Sequence, residues 1–188
     1  MLTGCDVTLQ TLIRVAYRIP RPLILGPSWL SSDRFDVIAK GSADDVSLRV
    51  MAPKIRNLLA ERFGLRTHQE IRTMSALALM GVGGLTPREG GDGILYMTLS
   101  TVTGKSVSMD DLARALTDVT GDLFVDESGY EGRLDVDLSW RREDQPPMEN
   151  ALPSLQTILH DLGIEVRVKK APVAVLVIEH VDRKPTDN

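Results

Sequence analysis

A chain of 188 residues with 43% hydrophobic content holds enough apolar material for one packed domain or two small ones. Its 22 Lys and Arg against 26 Asp and Glu leave a net charge of −4, and aromatics make up only 4%. That composition argues against a nucleic-acid binder, which needs a basic face for phosphates, and against an aromatic platform for stacking bases, though a local basic patch stays open. The single Cys5 forms no internal disulfide, no Cys/His cluster has zinc spacing, and no run of about 18 apolar residues reads as a membrane span.

In chain order, "MLTGCDV" (1–7) reads as a short first strand without the charged-then-apolar pattern of an export signal. Either the protein is cytoplasmic or its signal has been removed. Thr8 is a candidate N-cap for a helix whose apolar face is Leu9, Leu12, Ile13 and Ala16. Residues 23–29 and 34–40 follow as strands, the second alternating apolar with polar. A helix is predicted over 46–63, stopped by Gly64, and 65–71 with 74–80 read as a hairpin. Six glycines and Pro87 within 81–93 predict a flexible connection. Residues 94–107 then supply a strand, and Ser108 caps a helix with Asp110 and Asp111 in its first turn and Met109, Leu112, Ala115 and Leu116 on its face. Strands at 122–128 and 133–140, an exposed loop at 141–150, a helix at 151–162 stopped by Gly163, a hairpin of 164–169 with 173–180, and a frayed tail at 182–188 complete the chain.

The two halves resemble one another. Gly4, Val7-Thr8-Leu9, Leu12 and Arg14 answer to Gly104, Val107-Ser108-Met109, Leu112 and Arg114; Arg34-Phe35-Asp36-Val37 answers to Arg133-Leu134-Asp135-Val136. Leu58-Leu59 and Phe63-Gly64-Leu65 correspond in the same way to Ile158-Leu159 and Leu162-Gly163-Ile164. These matches recur in order at an offset of about 98 to 100 residues. The expected fold is α+β, two tandem copies of a small unit (strand, helix, strand, strand, helix, strand, strand), each a sheet packed with two helices. The expected division is 1–80, a linker at 81–93, 94–181 and a tail at 182–188.

Chemistry is sparse. In strand alternation His68 and Glu70 share a face with Arg66 and Arg72, a set that could hold an anion or act as an acid–base pair. A solvated strand face with cross-strand ion pairs accounts for the same residues. His160 and His180 stand alone, and Asp126, Asp135 and Asp137 lack the twelve-residue loop of a calcium site. Ser28 and Ser128 follow strands without a Gly-x-Ser-x-Gly elbow, and "GVGG" (81–84) lacks the Lys-Ser/Thr of a phosphate loop. Trp29 and Trp140 read as core edges. Neither a metal nor a cofactor is expected.

The phrases "VTLQTLIRVAY", "GPSWLSSDRFDVIAK", "LLAERFGLRTHQE", "VSMDDLARAL", "VDESGYEGRLDVDLSW" and "PVAVLVIEHVDRKPTDN" resemble a large family of uncharacterised proteins known chiefly from soil Acidobacteria. The resemblance implies a secreted or periplasmic protein, with a domain sometimes fused to membrane metallopeptidases of the beta-lactamase-sensor type, and supplies no activity. This chain departs from the family in lacking an export signal and an extra strand before the "VTL" helix, and in carrying Ala76 where the family often has Tyr. More distantly, each half is similar in cadence to the N-terminal domains of secretins and TonB-dependent receptors, which are protein-interaction modules. The expected function is a non-enzymatic binding module for an envelope protein or peptide, with exposed sheet edges open to a partner strand. The alternative is a metal-independent hydrolase of a small ester, lactone or glycoside, using His68 and Glu70 in a cleft between the units.

Overall fold

The computed structural model describes residues 2–39, 48–81, 83, 87–88, 93–142 and 151–186, which form four α-helices and three β-sheets. The class is α+β, as the patterning predicts. Two compact units result: Met1–Arg72 with Pro172–Asn188, and Thr73–Ala171.

In unit one, β1 (Leu2–Thr8) pairs antiparallel with β3 (Arg34–Ala39). The register slips between Gly4 and Val7, where Asp6 takes a left-handed φ of 60°. That bulge is held from the partner strand: Asp36 accepts the Asp6 N–H at 2.9 Å, and Arg34 donates to the Asp6 carbonyl at 3.0 Å. The strand runs directly into α1 (Leu9–Tyr17), because the Thr8 hydroxyl accepts the Thr11 N–H and satisfies a donor the helix cannot. The predicted face of Leu9, Leu12, Ile13 and Ala16 is buried. Against it lies α2 (Leu48–Phe63), whose Arg56 donates to the Ala16 carbonyl at 2.7 Å and stands 5.0 Å over the Tyr17 ring. Gly64, at φ +56°, ends α2 where the sequence places the stop. The short β2 (Ile24–Leu25) runs parallel to β10 (Glu165–His180) at Leu176 and Val177.

Unit two repeats these devices. β7 (Thr101–Val107) pairs antiparallel with β9 (Arg133–Ser139) and slips register between Gly104 and Val107. Ser106 has a φ of 54°, Asp135 accepts its N–H at 3.0 Å, and Arg133 donates to its carbonyl at 2.7 Å. α3 (Met109–Thr120) starts from Ser108 with a reciprocal cap: Ser108 accepts the Asp111 N–H at 3.1 Å, and the Asp111 carboxylate accepts the Ser108 N–H at 3.3 Å. β8 (Phe124–Asp126) runs parallel to β4 (Arg66–Met80) over Leu77–Leu79, and α4 (Leu155–Asp161) starts at a Ser154 cap. β5 (Pro87–Arg88) and β6 (Ile94–Met97) complete an antiparallel sheet in the order β5-β9-β7-β6. Its inner face, with Val102, Leu134, Val136 and Leu138, packs on Leu112, Leu116 and Leu159.

Several expectations are corrected. The predicted hairpins, 65–71 with 74–80 and 164–169 with 173–180, are the single strands β4 and β10. Neither stretch has a residue with positive φ, which the two-residue turns matched to strand twist require, and the backbone runs straight through both places where a turn was expected. Each strand therefore serves both units: β4 begins in unit one and ends in unit two, and β10 does the reverse, within one sheet ordered β2-β10-β4-β8. The division thus differs from the predicted 1–80 and 94–181, its boundaries falling inside the strands at Arg72/Thr73 and Ala171/Pro172.

The connection at 81–93 contains a strand: Pro87 and Arg88 pair with Leu134 and Arg133. Residues 82, 84–86 and 89–92 lie outside the described residues, as do 143–150 of the predicted loop. Residues 94–107 form two strands joined by a turn, in which the Thr98 N–H donates to the Thr101 carbonyl at 3.0 Å. The tail is not frayed over its described part. Asp182 and Thr186 donate their N–H groups to the Phe63 and Arg62 carbonyls at 2.8 Å each. Arg183 binds the Asp33 carboxylate through two nitrogens at 2.6 and 3.1 Å, and its guanidinium lies 5.9 Å from the Trp29 ring centroid.

Candidate functional site

His68 and Glu70 lie on β4 as strand alternation places them, with His68 Nε2 3.7 Å from Glu70 Oε2. His68 Nδ1 is 2.7 Å from Glu179 on β10, and Arg72 pairs with Glu70. The side chains of His68 and Glu70 remain 45% and 36% exposed. The arrangement is a ladder of surface ion pairs, each of small energetic weight.

The other polar residues singled out from the sequence have local work. Asp126 accepts the N–H and hydroxyl of Ser128 in a turn, at 2.9 and 2.6 Å. Asp135 holds the bulge, and Asp137 accepts from the Thr103 hydroxyl at 3.3 Å. His160 is exposed near the end of α4, and His180 sits 3.3 Å from Asp182. Among the described residues, no three His, Cys, Asp or Glu side chains gather as a metal-binding group, and no helix is long and apolar enough to cross a membrane.

Two exposed pairs shift their acidities. Hydrogen bonds from Arg183 hold the Asp33 carboxyl below its ordinary range; desolvation opposes this, while the Arg183 charge and the Ser32 hydroxyl assist. Arg167 lowers Glu165 in the same manner, first by hydrogen bonding, and the two arginines are raised in return.

The apolar surface tells more. Seven large hydrophobic side chains are exposed among the described residues, and six lie in unit two: Ile94, Tyr96, Met97, Leu99, Leu152 and Val168. Four of those six fall within 94–99, on β6 and the turn after it. β6 ends its sheet, paired only with β7 among the described strands. Its register opposes Tyr96 to Thr103 and Ile94 to Lys105 on the outer face, while Leu95, opposite Gly104, packs on the core. Natural edges are usually blunted by charge or proline. β6 reads Ile-Leu-Tyr-Met and has neither.

Beyond the β6–β7 turn a cleft of about 590 Å³ opens within unit two. Leu77, Phe124, Leu159 and Trp140 line it, with Leu99 and Val168 exposed in its walls and Arg141, Arg142 and Asp122 among its polar groups. Trp140 is 5% exposed, which agrees with its reading as a core edge, and its backbone N–H donates to the Ser100 carbonyl at 3.1 Å, tying the cleft wall to the turn. Sequence reasoning took 94–107 as one strand and missed both features. The legible signal was four consecutive apolar residues followed by a Thr-Leu-Ser turn.

Neither a curated protein nor a solved structure matches the chain. A family model described as "Protein of unknown function (DUF3738)" matches residues 10–181, a span that takes in both units, and the chain belongs to that family.

Proposed function

We propose that this chain is a non-enzymatic binding module, built from two copies of one α+β unit, that takes an extended segment of an envelope protein or peptide along the outer edge of β6. The observation that carries it is the concentration of exposed apolar side chains on an edge strand without a guarding charge or proline. An added strand would draw affinity from the outward N–H and C=O groups of β6 and selectivity from side chains meeting Ile94 and Tyr96. The copying is supported by the paired bulges at Asp6 and Ser106, each held by an Asp and an Arg of the partner strand, and by the matching caps at Thr8 and Ser108. The choice of an envelope partner follows what the sequence resemblance implies, a secreted or periplasmic setting and a cadence similar to secretin N-terminal domains.

The test uses the whole chain as bait for a displayed library of random linear peptides, followed by hydrogen exchange with an enriched peptide bound. Slowed exchange of the outward β6 amides, and loss of binding in an Ile94→Lys/Tyr96→Lys double variant, are the expected results. Protection confined to another surface, or binding indifferent to the double variant, overturns the reading.

A further inference from the structure

The register of β6 fixes which of its backbone groups are free. The Thr98 N–H donates to the Thr101 carbonyl, so these residues form a hydrogen-bonded pair across the turn between β6 and β7. Such pairs alternate along an antiparallel ladder, which makes Tyr96–Thr103 and Ile94–Lys105 bonded pairs as well. The N–H and C=O groups of Leu95 and Met97 therefore point away from β7, toward the open edge.

Both faces of that edge are apolar. Ile94 and Tyr96, 57% and 71% exposed, stand on the outer face. On the inner face Leu95 packs on the core, and Met97, opposite the buried Val102, is still 41% exposed. A strand that alternates apolar with polar would cover one face and set polar groups against the other. A strand apolar at every position covers both. β6 is itself such a strand, Ile-Leu-Tyr-Met, with no charge to repel its like.

We propose that this edge pairs with the same edge of a second copy of the chain, in a two-fold antiparallel contact of β6 with β6. The register that uses both outward residues of each strand sets Leu95 against the partner's Met97 and Tyr96 against the partner's Tyr96 on the axis. The tyrosines then meet as a non-hydrogen-bonded pair, where cross-strand side chains come closest. The two four-stranded sheets join with their inner faces on the same side. The stretch 94–98 is short beside the roughly 20–30 residues a side of a standard interface, so the dimer is weak and reversible. This inference rests on the reading of β6 as a strand-accepting edge and adds its regulation: paired copies withhold the edge from a peptide.

Sedimentation velocity of the full chain should show monomer passing into dimer between about 1 µM and 1 mM, the range of a weak complex. Ile94→Lys/Tyr96→Lys should stay monomeric at an unchanged melting temperature, since both side chains are exposed. The chain's one cysteine, Cys5, is replaced by serine for a second measurement. In that background oxidised glutathione should trap Tyr96→Cys as a disulfide dimer about tenfold faster than Ile94→Cys, because only position 96 faces itself. A peptide enriched from the library should dissolve the dimer. A monomer throughout, a dimer that survives the double variant, or equal trapping at 94 and 96 overturns self-pairing and leaves peptide addition to its own test. A dimer that meets those conditions yet coexists with bound peptide overturns the peptide reading of β6 and the regulation with it, while self-pairing stands.

Discussion

At the scale of single residues, Thr117 shows how a polar group is accommodated in this core. It is 1% exposed, donates to the Ala113 carbonyl at 2.8 Å and accepts the Phe124 N–H at 2.9 Å, joining α3 to the start of β8. Thr117→Val keeps the shape and strands the Phe124 N–H, an orphaned buried donor costing about 1–3 kcal/mol. Urea unfolding should show that loss, and Thr117→Ser should recover part of it. Arg183 and Asp33 give a pH signature instead. The folded carboxyl titrates below its ordinary value, so the stability gained from the pair is complete above about pH 4, the unfolded value, and disappears as pH falls through the lower folded one. The difference in melting temperature between wild type and Arg183→Gln should therefore be constant near neutrality and shrink below about pH 4. Nothing at this scale was hidden in the cap residues, which declare themselves by type: Thr8, Ser108, Gly64 and Gly163 all do what their chemistry predicts. The fixed end of the chain was illegible because its anchors are carbonyls at Arg62 and Phe63, far away in sequence.

At the scale of elements, the bulges are the most constrained pieces. A Cβ on Gly104 would lie 2.8 Å from Val107 Cγ1 and 3.2 Å from the Ile94 carbonyl, the latter a backbone atom of the neighbouring strand with little room to give. Gly104→Ala should cost about 1–3 kcal/mol through overpacking, read as a lowered urea midpoint. Because Gly104 pairs with Leu95, the strain falls on β6, and hydrogen exchange there should quicken more than in α3. Helix faces and alternating strands such as 133–139 were readable because their period is local. β4 and β10 were not, since a largely polar stretch followed by an apolar one looks the same whether it folds back or runs straight. The deciding facts are the missing positive-φ residues at the would-be turns and a choice of neighbours made by distant strands. The cleft was illegible for a related reason, since it draws on residues from 77 to 168.

At the scale of the whole molecule, unit one depends on the far end of the chain. Pro172–Asn188 supplies Val175 and Leu176, both buried, together with the segment bonded to Phe63 and Arg62. A chain ending at residue 171 should keep the resonances of unit two dispersed and collapse those of 2–72 to unfolded positions in a two-dimensional NMR spectrum. Retained dispersion across 2–72 would mean that β10 adds little to that unit.

The same arrangement fixes an order in time. Domains commonly fold from the N-terminus as synthesis proceeds. Here the ribosome has delivered all of Thr73–Ala171 before the strand segment that unit one needs has emerged. The half translated first must wait, with Ile24 and Leu25 lacking their strand partner, until Leu176 and Val177 arrive. During that interval a holding chaperone has its clearest target in the N-terminal segment, and pausing late in translation would lengthen the exposure of the part made earliest.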